Sequence, residues 1–308
     1  MSDQYYPKTH AEFLARFSSE EACEQYIVDI RWPDGFVCPK CQQVHGWKHP
    51  RGLIECKECG HQSSVISGTV FQGTRTPLKT WFDVMWLMVA QKTGTSAQNI
   101  KDMMGFGSYQ TAWSILHKLR RVMIRPGRDK LSGIVEVDET FIGGVESGVR
   151  GRKTTTKTLV VVATECNGKQ IGRVRFRCIP EASRKALESF VTDNIEGEST
   201  VITDGWESYG FLKSSGYAHK KRVIAGSGKQ AHELLPHVHM VDSLVKRWLS
   251  GTHQGHVESK HLQYYLDEFA FRFNRKLSTH RGKLFYRLVQ QSVTATATPY
   301  KGLINRKH

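Results

Sequence analysis

The chain of 308 residues lacks any apolar run approaching the roughly 20 residues that a membrane span requires, and no apolar signal core follows its start. Membrane and secreted classes are thereby set aside, and a cytoplasmic protein is expected. Tandem repeats and low-complexity tracts are also missing, which excludes solenoids and long disordered linkers. Acidic residues are in short supply: 29 Asp and Glu face 44 Lys and Arg, for a formal net charge of +15 and a pI near 9.5. Such a surplus points to a polyanionic partner, most economically nucleic acid. It is spread along the chain, with 17 basic against 12 acidic residues up to position 130 and 27 against 17 beyond it, so no single basic tail accounts for it.

Cysteine is also sparse, and four of the seven are arranged as Cys38-Pro-Lys-Cys41 and Cys56-Lys-Glu-Cys59 with fourteen residues between the pairs. Each C-x2-C knuckle sets two thiolates on one tight turn, and two knuckles complete a tetrahedron around Zn²⁺. In a reducing compartment this spacing means metal rather than disulfides. Four protein ligands close the site, so the zinc is structural. Cys23 reads as a small buried hydrophobe, Cys166 and Cys178 have no ligand spacing, and His45 and His61 read as loop residues beside a complete ligand set.

Local signals divide the chain further. Ser18 with Glu21 forms a capping-box pattern ahead of a helix that Trp32-Pro33-Asp34-Gly35 stops. Residues 77–92 read as an apolar helix. Thr95-Ser96 opens a short helix to about Met104, Gly105-Phe106-Gly107 turns, and Ser108 opens a longer helix to Arg120-Arg121. Two short helices around a glycine turn match a helix-turn-helix with the second as reader. Beyond the Arg125-Pro126-Gly127-Arg128 linker the period becomes strand-like: 134–142, 157–164 and 171–178, then a helix, a strand at 199–203 ending in Asp204, a short helix, a strand from Lys220, and a helix from about His237. Leu262, Leu266, Phe269 and Phe273 mark a further amphipathic helix.

The order βββαβαβα is that of an RNase H-like domain with a mixed sheet, in which acids on the first strand, after the fourth strand and on the last helix meet at one end of the sheet. Asp138 lies in the middle of the apolar strand 134–142, where a carboxylate is costly unless a cation or hydrogen bonds satisfy it. Asp204 and the helix face carrying His239, Asp242 and Lys246 stand at the other two places. The expected class is therefore multidomain α+β: N-terminal helix and zinc ribbon at 1–74, helix-turn-helix at 75–128, RNase H-like catalytic domain at 129–292 and a C-terminal tail at 293–308. On this division, residues 1–128 by themselves would bind DNA with sequence preference.

The stretch from Arg31 to Cys41, Val135-Glu136-Val137-Asp138-Glu139-Thr140-Phe141-Ile142-Gly143-Gly144, Thr203-Asp204-Gly205-Trp206 and Lys260 to Phe269 with Arg272-Phe273-Asn274-Arg275 together resemble the bacterial insertion-sequence DDE transposases with an N-terminal zinc ribbon, the ISXO-like group. The resemblance spans nearly the whole chain. It implies Asp138 and Asp204 as the first two catalytic acids. The third family residue stands seven positions before a Lys or Arg; counting back from Lys246 gives His239, where Glu is commoner, and Asp242 on the same helix face is the alternative oxygen ligand. It further implies two Mg²⁺ or Mn²⁺ ions about 4 Å apart, cleavage at element ends and strand transfer. The implied partners are double-stranded DNA, as terminal inverted repeats and target, met by a homodimer or higher oligomer. Arg120, Arg121, Arg150, Arg152, Lys153, Lys246 and Arg247 are the expected DNA contacts, and Arg272, Arg275, Lys276, Arg281, Lys283 and Arg287 could extend the path. Two other readings use the same motifs: a DNA-binding regulator with an inactive RNase H-like domain, and a structure-selective nuclease or resolvase.

Overall fold

The structure, a computed structural model, describes residues 6–49, 52–143, 156–223, 227–228, 230–255 and 257–304. Arg150, Arg152 and Lys153 lie outside them. Two compact units make up the chain, residues 1–125 with 277–307, and residues 126–276.

The first unit begins with α1 (His10–Arg16) and α2 (Glu20–Arg31). Ser19 rather than Ser18 caps α2, its hydroxyl accepting the Ala22 N–H. A three-stranded antiparallel sheet follows: β1 (Gly46–Lys48), β2 (Leu53–Cys56) and β3 (Gln62–Ser64). α3 (Leu78–Ala90) is apolar on nearly every side and buried accordingly. Its first two amides are capped in trans by Glu20, whose carboxylate accepts from Leu78 (2.6 Å) and Lys79 (2.9 Å). α4 (Ala97–Met104) and α5 (Tyr109–Val122) have the Ser96 and Ser108 caps that the sequence indicated, and Gly105 closes α4 in the left-handed region at φ 67°.

The second unit is built on a five-stranded mixed sheet. β4 (Ile134–Ile142), β5 (Thr158–Asn167) and β6 (Gln170–Ile179) are antiparallel, α6 (Arg184–Asn194) crosses over, and β7 (Thr200–Thr203) and β8 (Ala218–Lys221) extend the sheet in parallel on the far side of β4. The order β6-β5-β4-β7-β8 puts β4 in the centre, the arrangement expected of an RNase H-like domain. Strand period two then sorts β4 by face. Val135 and Val137 pack with Leu187, Phe190 and Val191 of α6; each contributes about 1.5–3 kcal/mol by leaving water. Ile142 packs on the opposite face with α8 (Pro236–His253) and α9 (Ser259–Phe273), which follow the short α7 (Ala231–Leu234). Leu262, Leu266, Phe269 and Phe273 of α9 lie in or against that core.

β6 is an edge strand, and α9 covers its outer backbone with amide side chains. Gln263 accepts from the Cys178 N–H and donates to the Phe176 carbonyl, while Asn274 does both for Val174. Lys276 donates to the carbonyls of Ile171 and Gly172. An open edge is a template for unwanted strand pairing, and these groups close it. Arg272, expected on a DNA path, is instead buried beside Glu268 (3.4 Å) and over the Trp248 ring.

The expected boundary at 292 falls in the wrong place. α10 (Arg281–Thr294) packs with α2 and α3 in the first unit, and α11 (Tyr300–Ile304), within the expected tail, packs on α5. Phe285 is the reason. Fully buried, its ring centroid lies 5.2 Å from Phe13, 5.3 Å from Phe17, 5.2 Å from Phe82, 6.1 Å from Tyr26 and 6.2 Å from Trp86. Residues 1–128 alone therefore lack the side chain around which their core closes. No helix among the described residues is long and apolar enough to cross a membrane. Phe285→Ala is expected to destabilise the first unit by about 3–5 kcal/mol, while sheet amides of the second unit keep their hydrogen-exchange protection. Uniform loss of protection in both units, or none in the first, would contradict this division.

Candidate metal centres and active site

The four cysteines of the first unit converge. Sγ of Cys38 lies 3.7 Å from that of Cys59, and Cys41 lies 3.5 Å from Cys56. Zn–S bonds of about 2.3 Å in a tetrahedron require S···S edges of about 3.8 Å, so the set fits Zn²⁺ with little movement. The two knuckles are built alike: Gln42 and Gly60, each just after the second cysteine, adopt φ of 61° and 64° and donate to the carbonyls of Cys38 and Cys56. His45 and His61 contribute backbone carbonyls to this frame, accepting from Lys57 and Cys56.

In the second unit the polar residues of β4 alternate with its valines and face α8. Glu136 meets His237, Asp138 meets His239 with Oδ2 3.5 Å from Nε2, and Thr140 accepts from Lys246 Nζ at 2.7 Å. Lys246 also donates to Asp242 Oδ2 at 2.9 Å, one helical turn before it. Asp204 enters from the neighbouring strand: Glu136 pairs with Ile202, so two residues further on Asp204 runs beside Asp138. An Asx turn holds it, Oδ1 accepting the Trp206 N–H at 2.9 Å. Asp138, His239, Asp242 and Lys246 thus meet between β4 and α8, with Asp204 just past the end of β7 beside them.

Electrostatics mark Asp138 as the focal group. Burial, then the charge of Glu139, followed by Asp204 and Asp242, push its carboxyl from the ordinary 3.8 up to about 7. Burial holds the His239 imidazole below its ordinary value, which favours the neutral ring. His239 Nε2 and Asp242 Oδ1 are both buried without a hydrogen-bond partner. Crowded negative charge, an imidazole lone pair and an unserved carboxylate oxygen suit a divalent cation. Among the described residues, the groups of three or more such side chains with all ligand atoms within 4.8 Å of one another are the four cysteines and the trio Glu136, Cys166 and His237. The acids around Asp138 do not form such a group.

Sequence reasoning passed over three groups here. Glu136 is 4% exposed beneath Asp138. Glu139, on the opposite face of β4, accepts from the fully buried Tyr209 hydroxyl at 2.5 Å, and burial with the Glu139 charge raises the Tyr209 pKa well above its ordinary value. Tyr209 ends the 3-10 turn Glu207–Tyr209, so this bond ties β4 to the segment that carries Asp204. The signal available in sequence was the polar period-two row 136, 138, 140 in an apolar strand. Of the expected DNA contacts, Arg247 is exposed and Arg121 donates to the Gly302 carbonyl at 2.8 Å, whereas Arg120 is not a DNA contact: it is 1% exposed on the core side of α5 and has no surface to offer a phosphate.

Comparison with known proteins places these motifs. The ISXO2-like transposase domain matches residues 130–274 and the transposase zinc-ribbon domain matches residues 18–62. The chain is similar to an uncharacterized protein in transposable element ISH50 of Halobacterium salinarum, 26% identical over 295 residues that cover 88% of this chain and 95% of that one.

The raised Asp138 pKa has a stability consequence with a definite sign. The folded chain holds the proton more tightly than the unfolded chain, so the contribution is fully present below pH 3.8 and is lost as pH rises through about 7. In chelator, Asp138→Asn is expected to stabilise the second unit relative to the parent, with a gain that grows by about 2 kcal/mol between pH 5 and pH 8. Thermal melts across that range test it; parallel curves for variant and parent would contradict it.

Proposed function

The chain belongs to the insertion-sequence transposases that carry a zinc ribbon ahead of an ISXO2-like domain, and from that premise we propose that it cuts element ends and joins them to target DNA by divalent-metal-dependent phosphoryl transfer. The observation that carries this reading is the convergence on Asp138: a largely buried acid raised to about 7 by burial and then by neighbouring carboxylates, with the His239 Nε2 3.5 Å away. Mg²⁺ or Mn²⁺ at such a site would lower the pKa of an attacking water or 3′-hydroxyl and neutralise charge on the phosphate.

The chain's own residues have separable tasks. Asp138 and Asp204 supply anionic oxygens from adjacent parallel strands, and His239 is the third ligand. Asp242 adds an oxygen one turn on, which offsets the poorer match of imidazole to a hard ion. Lys246, held by Thr140 and Asp242, sets a positive charge where a DNA phosphate would pass, and exposed Arg247 adjoins it. In the first unit, four cysteines hold Zn²⁺ and so fix the ribbon, which has little core of its own. The α4–α5 pair reads element ends as a helix-turn-helix, with Tyr109 and Gln110 exposed at the start of α5. Assembly as a dimer or higher oligomer on paired ends, in the cytoplasm, completes the reading.

Cleavage of a labelled element end in Mn²⁺ tests it. Asp138→Asn, Asp204→Asn and His239→Ala should each lower the rate by more than about 100-fold, beyond what loss of an outer partner costs, with DNA binding intact. His239→Glu should keep measurable activity and shift preference towards Mg²⁺. Asp242→Asn decides between the two helix candidates: inactivity there with an active His239→Ala would make Asp242 the ligand. Cleavage without joining of the 3′ ends to target DNA would reduce the protein to a nuclease.

A further inference from the structure

Glu136 has a larger set of partners than any acid of the proposed site, yet no role in it. The carboxylate is buried on the same face of β4 as Asp138, two residues before it. Oε2 accepts from the backbone N–H of His237 at 2.8 Å and of Val238 at 2.9 Å, and Oε1 meets His237 Nδ1 at 2.8 Å. On its far side the His237 ring reaches the Gly168 carbonyl in the β5–β6 turn, with Nε2 at 3.0 Å.

These contacts do for α8 what its own sequence cannot. The residue before the helix is Leu235, with no side-chain acceptor, and Pro236 has no N–H, so the open amides of the first turn must be served from outside. Glu136 serves them from the central strand. His239 follows Val238 by one residue, and Asp242 and Lys246 follow along the same helix.

We infer that Glu136 is a positioning residue: by clamping the first turn of α8 to β4 it sets the depth and rotation at which His239 and Asp242 face Asp138, without itself touching the reacting atoms. The inference rests on the reading of Asp138 and His239 as active groups. Glu136, Cys166 and His237 also lie within 4.8 Å of one another in a set that could hold a metal. However, both carboxylate oxygens and both ring nitrogens already have partners, and Cys166 Sγ donates to the Thr164 carbonyl at 3.6 Å, so the cluster is closed by hydrogen bonds.

The full chain with Glu136→Ala, Glu136→Gln and His237→Ala tests this in Mn²⁺-supported cleavage, alongside hydrogen exchange. Misplacing a reacting group by about 1 Å costs on the order of 100-fold, so Glu136→Ala should lower kcat by about that factor with KM for DNA little changed. Exchange should quicken at the amides of His237 and Val238 while sheet amides keep their protection. A carboxamide can accept both N–H groups through its oxygen and donate to Nδ1, so Glu136→Gln should recover activity to within about fivefold of the parent. Should Glu136→Ala fail to fold, His237→Ala, which leaves the carboxylate on the two amides, should show an intermediate loss of about tenfold. Full activity in Glu136→Ala or, if that variant does not fold, in His237→Ala, or a Glu136→Gln as impaired as Glu136→Ala, would overturn the inference, the second outcome making Glu136 itself a ligand. If instead Asp138→Asn and His239→Ala stay active, the reading of the site has failed, and the exchange at residues 237 and 238 still judges the clamp.

Discussion

Withdrawing carboxylates from water on the central strand of a β-sheet is the constraint on which the second unit depends. β4 carries Glu136 and Asp138 on one face and Glu139 on the other, in a strand otherwise made of Val, Ile, Thr and Phe. Each acid withdrawn from water needs a partner, and each partner brings an element with it: His237 and the first turn of α8 for the buried Glu136, Tyr209 and the Asp204 segment for the half-buried Glu139. Asp138, between them, receives one hydrogen bond, from the Glu139 N–H, and faces His239 at 3.5 Å. Two acids with fixed partners thus flank Asp138 along the strand. Burial, then neighbouring negative charge, raise the Asp138 carboxyl to about 7.

The first unit solves a different problem. Its ribbon is too small for a core of its own and is closed by four thiols, while the helices beside it close around an aromatic residue delivered from the far end of the chain. Phe285 and the helix that bears it make residues 277–304 part of the structure that presents α4 and α5, rather than an appendage. α11 continues the same logic, with Arg121 bonded to Gly302 and Tyr300 beside Trp113.

Legibility in the sequence followed the range of the interactions. Cysteine spacing, the Ser96 and Ser108 caps and the period-two pattern of 134–142 are local, and the structure has each where the residues indicated. Asp138 and Asp204 stood out because an acid at the heart or end of an apolar strand has few structural excuses. The boundary at 292 misled because nothing within 277–292 says which of two distant apolar surfaces it covers. Glu136 was passed over for the same reason: its partners lie 101 and 102 residues away. Arg120 misled in another way, since a charged residue at a helix end reads as solvent-facing although here the helix turns that side to the core.

The central claim is that Asp138, with Asp204, His239 and Asp242, forms a divalent-cation site. Anomalous diffraction from crystals of the whole protein grown or soaked in Mn²⁺ tests it directly. A manganese peak is expected within coordination distance of an Asp138 carboxylate oxygen and of His239 Nε2. A peak confined to Glu136, Cys166 and His237, or none near Asp138 in crystals that bind Mn²⁺ elsewhere, would contradict it.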